Sequence, residues 1–346
     1  MSIGAAVLMN AFDAHRAALA ILVLVAAALI CAGLIKLLLP LLRLYALARP
    51  NARSSHLEPT PQGGGIAVVV ASLSIAGAAA MATGLAIPTA LYSAALLIAL
   101  VGLVDDIRPI PVLPRLLLQA ACVGAVSFWL APDLRIVAAV PLAVERGLIL
   151  LAGLWFVNLV NFMDGLDLMT AAEVVPISGA MILLGVFDQF SPFATVPAAA
   201  LFGAMIGFSP FNRPVAKVFL GDVGSLPIGL LLGWCLLQLA LQEQLTAALL
   251  FPLYYLADAT ITLLRRMLTR EPFWAAHRTH FYQRATDNGF SVPEVVGQVF
   301  ALNIFLAALA MASIFTTSML LRSLALAGGA AAVGFLLLRF SRRRAS

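Results

Sequence analysis

The chain has 346 residues, of which 62% are hydrophobic and 11% charged, and it carries a formal net charge of +5. Its mean hydropathy of +1.03 and an apolar share far above the roughly 45–50% of soluble domains exclude a water-soluble enzyme and indicate a polytopic membrane protein. The longest polar run, Arg265 to Val292, is too short for a catalytic domain, so residues 1–346 read as one membrane-embedded domain whose chemistry lies at span ends and in loops.

Stretches that meet the ~20-residue length of a bilayer span run over 17–39, 65–85, 88–104, 113–131, 147–163, 169–187, 193–211, 223–241, 245–264, 294–314 and 319–338. They predict an all-α protein of about eleven transmembrane helices. The first stretch is too long for a signal-peptide core and has no clear cleavage site, so it reads as a retained helix. With the N-terminus outside, 17 basic residues fall inside and only Arg16, Arg135, Arg146 and Arg322 fall outside. That asymmetry predicts an outside N-terminus and a cytoplasmic C-terminus, with Arg342-Arg343-Arg344 anchoring at the anionic leaflet. The polar segments at about 40–64, 105–112, 164–168, 212–222 and 265–292 are then cytoplasmic. Cys31, Cys122 and Cys235 lie in separate apolar stretches without metal-ligand spacing, and read as small core residues.

The first inside loop runs from Arg49-Pro50-Asn51 through His56 and Pro59-Thr60-Pro61 to Gly63-Gly64-Gly65. Glycine N–H groups at a helix start suit an anion such as phosphate, and a plain proline-rich linker is the alternative. Next, Asp105-Asp106 stands at a span end, where adjacent carboxylates repel unless a cation, a proton or an arginine compensates. Arg108 and Arg115 are near enough in sequence to help, and Arg115 and Gln119 lie one helical turn apart. Metal coordination or deprotonation of an acidic substrate competes here with an ordinary interface cap. In Phe156 to Asp167, Asn158, Asn161 and Asp164 share one helix face, and Gly165 turns the chain to bring Asp167 alongside. So much polarity at the end of a membrane helix points to binding. Asp222, between Gly221 and Gly224 and after Phe219, reads as an N-cap or a metal ligand. The last loop holds Arg265-Arg266, Arg270, Pro272-Phe273, His277-Arg278-Thr279-His280 and Gln283-Arg284, a pattern suited to clamping phosphate rather than zinc. Asp258 is expected to pair with one of these arginines. Hard oxygen donors beside arginines are the equipment of Mg²⁺- or Mn²⁺-assisted phosphoryl transfer.

Taken in order from about residue 50 to 290, these motifs resemble the polyprenyl-phosphate N-acetylhexosamine-1-phosphate transferases (glycosyltransferase family 4). The chain looks closest to the bacterial branch that initiates O-antigen, enterobacterial common antigen or wall polymers. The peptidoglycan muramoyl-pentapeptide branch has three successive histidines where this chain has His277-Arg278-Thr279-His280. The resemblance implies attack by undecaprenyl phosphate on the β-phosphorus of a UDP-N-acetylhexosamine, with UMP leaving, at the inner membrane. It implies Mg²⁺ held by Asp222 with Asn161, uracil recognition near Gly165 and Asp167 with Phe219 stacking, and Asp105 or Asp106 acting on the lipid phosphate. Arg278, His277 and His280 would surround the diphosphate. Asp164 is a further catalytic candidate, and Asn158, Arg115 and His56 are further substrate-binding candidates. Direct attack is favoured over a covalent phosphoryl-enzyme, because a desolvated, charge-compensated lipid phosphate is an adequate nucleophile.

The chain departs from the family where many relatives continue Asp-Gly-Leu-Asp with glycine, since Leu168 stands there, and where Pro109 follows the aspartate pair. An intramembrane Mg²⁺-dependent prenyltransferase would need a third aspartate at Pro109. A lipid or nucleotide-sugar transporter would need polar groups through the outer halves of the spans, where Glu173 stands out alone. No nucleic-acid partner is expected, and a homodimer stays open.

Overall fold

The computed structural model describes residues 3–45, 47–48, 59–271 and 277–344. In chain order α1 spans Ile3–Tyr45, β1 Leu47–Ala48, β2 Thr60–Pro61, α2 Gly65–Thr83, α3 Thr89–Ile107 and α4 Val112–Phe128. Then come α5 Leu142–Met163, α6 Met169–Val186, α7 Pro192–Phe208, α8 Asp222–Leu241, α9 Leu245–Leu250 and α10 Leu253–Leu268. The chain closes with α11 Phe281–Asp287, α12 Val292–Ile314 and α13 Met319–Ser341. Lipid offers no partners to backbone N–H and C=O groups, so apolar runs of this composition close their own hydrogen bonds as helices. Their ends carry the expected punctuation. Proline opens α7 and α12, Ser291 and Glu294 form a capping box on α12, and Gly84 ends α2 at φ 68°.

Among the described residues nine helices are long and apolar enough to cross a membrane: α1 (from His15), α2, α3, α5, α6, α7, α8, α12 and α13. Two of the eleven expected spans differ. The stretch 113–131 becomes α4, a 17-residue helix. The stretch 245–264 is two helices, α9 and α10, with Phe251-Pro252 between them, because a proline offers no N–H and crowds the turn before it. The end of α10 runs beyond the expected span to Leu268 and buries Tyr254, Tyr255, Asp258, Thr262 and Arg266 along one face. The three cysteines are free and buried, as expected.

The bundle is organised around α8, which packs against α2, α3, α5, α7 and α9. Two backbone crossings fix its first turn. A Cβ on Gly65 of α2 would lie 2.2 Å from Gly224 Cα, and one on Gly102 of α3 would lie 2.4 Å from the Asp222 carbonyl. Small residues at these crossings let helices approach backbone to backbone. The short β1–β2 ribbon pairs Leu47 with Pro61 and Ala48 with Thr60, and Gln62 bridges to Phe219. The strand after the first loop is thereby fastened to the segment that leads into α8. His56, Pro272 and Phe273 lie outside the described residues.

Candidate active site

The C-terminal ends of α3 and α5 and the N-terminal end of α8 meet at one point, and each brings acid. Asp105 and Asp106 fall in the last turn of α3 rather than in the loop expected from 105. Asp106 accepts hydrogen bonds from the Asp222 N–H at 2.9 Å and the Val223 N–H at 3.1 Å, and from the Gln62 side-chain amide. The residue in the cap position, Gly221, has no side chain to cap α8, so a carboxylate from another helix does so and faces the positive end of the dipole. Gly221 sits at φ 77°, and a Cβ there would lie 2.5 Å from the Asp106 carboxylate. Asp106 is therefore the clamp that seats α8 on α3.

Asp105 accepts from the Ile110 N–H at 2.6 Å and from Arg115 Nη1 at 2.7 Å. The same guanidinium nitrogen stands 3.7 Å from Asp222. The compensating arginine is thus Arg115; Arg108 lies exposed beyond the helix end. Asp222 also accepts from the Asn161 amide at 2.8 Å, and that amide donates to Ser225 Oγ at 2.9 Å. Asp164 caps the end of α5 and accepts from Thr170 Oγ1. Burial, together with the charges of Asp222, Asp106 and Asp167, pushes its carboxyl up to about 8 against the pull of the Thr170 hydrogen bond.

The remaining expected residues divide. Asn158 is buried and donates to Gln119 Oε1 at 2.7 Å and to the Leu154 carbonyl, so its amide N–H groups tie α5 to α4 rather than facing a ligand. Asp167 is buried and accepts from the Ala216 N–H at 3.1 Å, and Asn212 accepts from the Leu168 N–H at 2.7 Å. These bonds hold the Asp-Gly-Leu-Asp turn against the segment before α8. Leu168 adopts φ 64°, a backbone conformation that suits glycine far better than leucine. Phe219 is half-buried on that same segment. The glycine triplet is not an open anion cradle, because the N–H groups of Gly63 and Gly64 donate to the Phe219 carbonyl and that of Gly65 to the Leu220 carbonyl.

The histidine loop folds over the end of α5. Tyr282 Oη donates to the Phe162 carbonyl at 2.9 Å, and a Cβ on Gly165 would lie 2.2 Å from the Tyr282 hydroxyl oxygen. The His277 and His280 rings stack with centroids 5.0 Å apart, and His280 stacks on Tyr282 at 5.8 Å. Arg278 donates to Thr286 Oγ1 at 3.0 Å and pairs with Asp287 at 3.4 Å. Asp258 pairs with His280 at 3.1 Å instead of with an arginine. Gln62, Thr170 and Tyr282 carried no assigned role in the sequence, and Ser225 stood there only as the end of the motif Gly221-Asp222…Gly224-Ser225. Only Ser225 left a signal there, a hydroxyl one helical turn after Asp222.

The donor set fits a small hard cation. Carboxylate and amide oxygens are the ligands Mg²⁺ and Mn²⁺ prefer, and Asp164 is raised by burial first and then by the charges of Asp222, Asp106 and Asp167. Among the described residues no three acidic, histidine or cysteine side chains form a closed metal cage. Mg²⁺ takes one or two protein carboxylates and leaves positions for water and phosphate. Arg115 Nε and Gln119 Nε2 are buried donors without a partner among the described residues, groups that a bound anion or water would satisfy.

Residues 88–240 match the family model described as glycosyl transferase family 4, a segment that holds Asp105, Asp106, Asn158, Asn161, Asp164, Asp167, Phe219 and Asp222. The chain is 27% identical over 291 residues to a probable undecaprenyl-phosphate N-acetylglucosaminyl 1-phosphate transferase of Bacillus subtilis (strain 168), covering 76% of this chain and 77% of the relative. It is 27% identical over 340 residues to a decaprenyl-phosphate N-acetylglucosaminephosphotransferase of Mycobacterium tuberculosis (strain CDC 1551 / Oshkosh), covering 85% and 83%. A phospho-N-acetylmuramoyl-pentapeptide-transferase of Streptococcus gordonii is 28% identical over 247 residues, covering 64% and 75%. With its apolar helices and these relatives, this is a multi-pass protein of the bacterial inner membrane. With helices that end in converging acids and a match across α3 to α8, the chain is similar to the polyprenyl-phosphate N-acetylhexosamine-1-phosphate transferases.

Proposed function

We propose that this protein transfers N-acetylhexosamine-1-phosphate from a UDP-sugar to undecaprenyl phosphate on the cytoplasmic face, releasing UMP and initiating a surface polysaccharide. The observation that carries this reading is the meeting of Asp105, Asp106, Asn161, Asp164 and Asp222 at one end of the bundle, under a loop with two histidines. An oxygen of the lipid phosphate bonds to the β-phosphorus. The bond from that phosphorus to the oxygen shared with the α-phosphate breaks, and UMP leaves with the electron pair. A sugar lacking the muramoyl peptide is favoured by the loop sequence His277-Arg278-Thr279-His280 and by the N-acetylglucosaminyl names of two of the relatives described above.

In this reading Asp105, with Arg115 as its counter-charge, receives the lipid phosphate and takes its proton. Asp106 acts by holding α8 in place, so that Asp222 and Asn161 stay together. Bound Mg²⁺ or Mn²⁺, held by Asp222 and Asn161, would neutralise charge on the diphosphate. Asp164, Gly165, Asp167 and Phe219 bind the nucleoside side, and His277, His280 and Arg278 bind the diphosphate side. The purified protein, given undecaprenyl phosphate, Mg²⁺ and a panel of UDP-N-acetylhexosamines, is expected to release UMP from at least one donor. Absence of UMP with every donor overturns the reading.

A further inference from the structure

Asp258 lies on α10, away from the acidic cluster, and is fully buried. Its two oxygens accept from five donors. Oδ1 takes His280 Nδ1 at 3.1 Å, the Phe281 N–H at 3.0 Å and Thr262 Oγ1 at 3.3 Å. Oδ2 takes the Tyr254 hydroxyl at 3.2 Å and the Tyr282 N–H at 3.1 Å. Both oxygens are acceptors throughout this set, so the hydrogen between Asp258 and His280 belongs to Nδ1. The ring also stacks on His277 and on Tyr282, contacts that hold its plane. The same carboxylate caps α11, and α11 reaches the end of α5 through the Tyr282 bond to the Phe162 carbonyl, one residue after Asn161.

We propose that Asp258 is the positioning residue for His280: it fixes the imidazole as the Nδ1–H tautomer and leaves Nε2 as the nitrogen that meets the diphosphate. The proposal rests on the reading of His280 as a residue of the transfer reaction. A carboxylate that holds one ring nitrogen determines what the other can do, the logic of an oriented histidine in general acid–base and electrostatic catalysis. The Asp258–His280 pair joins this orientation to the placement of the loop, since a single side chain supplies both the α11 cap and the histidine's partner.

Two measurements test it. The chain has four histidines, so ¹⁵N-histidine NMR of the detergent-solubilised protein can be assigned to His280 by the signal lost in His280→Gln. The Nδ1–H tautomer is expected in the neutral ring, and an Nε2–H tautomer overturns the proposal. The second is a double-mutant cycle on turnover per folded enzyme with Asp258→Asn, His280→Gln and the pair. If Asp258 acts through His280, each single variant loses about 100-fold or more in kcat with KM for the UDP-sugar changed far less, and the pair is no worse than His280→Gln alone. Losses that multiply overturn the proposal. Full turnover in His280→Gln instead removes the reading of His280 on which it rests, whatever the tautomer. The NMR result stands even if Asp258→Asn does not fold.

Discussion

The buried Asp258 and the partly buried aspartates of the acidic cluster show how the same side chain serves opposite ends. Asp258 accepts five hydrogen bonds from α10 and the histidine loop, so its negative charge is fully answered by the fold. Among the described residues the aspartates where α3, α5 and α8 meet share one close arginine, Arg115, and Asp164 is pushed up to about 8 by burial and by its acidic neighbours. A satisfied carboxylate positions other groups. A crowd of under-compensated carboxylates is poised for a cation or a proton. Within the crowd Asp106 behaves like Asp258, because backbone N–H groups of α8 occupy both its oxygens.

The sharpest break in the comparison is at Asp222. Asp222→Ala should lower turnover by about 10³-fold or more, as loss of a group that stabilises transferring phosphoryl charge does, while the folded protein stays extractable. Near-normal UMP release by this variant would remove Asp222 from the metal role. Asp105→Ala should lose turnover with a smaller loss of thermal stability, since it strands one backbone N–H, that of Ile110, where Asp106 serves two. Asp106→Ala should lose stability as well, by about 1–3 kcal/mol, the cost of stranding buried N–H groups. Equal melting temperatures for the two variants would contradict the division between clamp and reactant. Gly102→Ala belongs on the same scale, because its Cβ would lie 2.4 Å from the Asp222 carbonyl and overpacking costs about 1–3 kcal/mol.

The pH dependence has a definite sign. Asp164 has a native pKa raised from 3.8 to about 8, so between those values the native state binds more protons than the unfolded chain. Stability without a cation should therefore fall as pH rises through that window, by at most about 1.4 kcal/mol per pH unit. A divalent cation replaces the proton, so Mg²⁺ should raise the melting temperature more at pH 8 than at pH 5, and Asp164→Asn should flatten the dependence. A metal-free melting profile that does not fall between pH 5 and 8 contradicts the crowding. The smallest effect is expected at the Arg16–Asp188 pair, an exposed salt bridge. Arg16→Gln should change stability by less than about 1 kcal/mol, because solvent screens such pairs.

Much of this was legible in the sequence, because a span is a local property and an aspartate at its end stands out against lipid. The apolar runs foretold the helices, whereas Asn158 and Asn161, expected on one face with Asp164, meet Gln119 of α4 and Asp222 of α8, and Asp164 lies just past the end of α5. What escaped depends on partners distant in sequence. That Asp106 caps α8 requires knowing that Gly102 brings α3 onto Asp222. Asn158 looked like a ligand-facing amide, yet Gln119 takes it. Asp258 was expected to meet an arginine because arginines are near it in sequence, whereas the break at Phe251-Pro252 and the capping of α11 deliver it to His280. At Leu168 a positive φ explains why glycine would be at home in that turn.

The central claim is that the acidic helix ends hold one divalent ion, and counting Mn²⁺ bound to the purified protein by electron paramagnetic resonance, with UDP present, tests it most directly. The account predicts one Mn²⁺ per chain, displaced by Mg²⁺ and lost in Asp222→Ala. No bound Mn²⁺ in the unaltered protein, or the same count in Asp222→Ala, would contradict it.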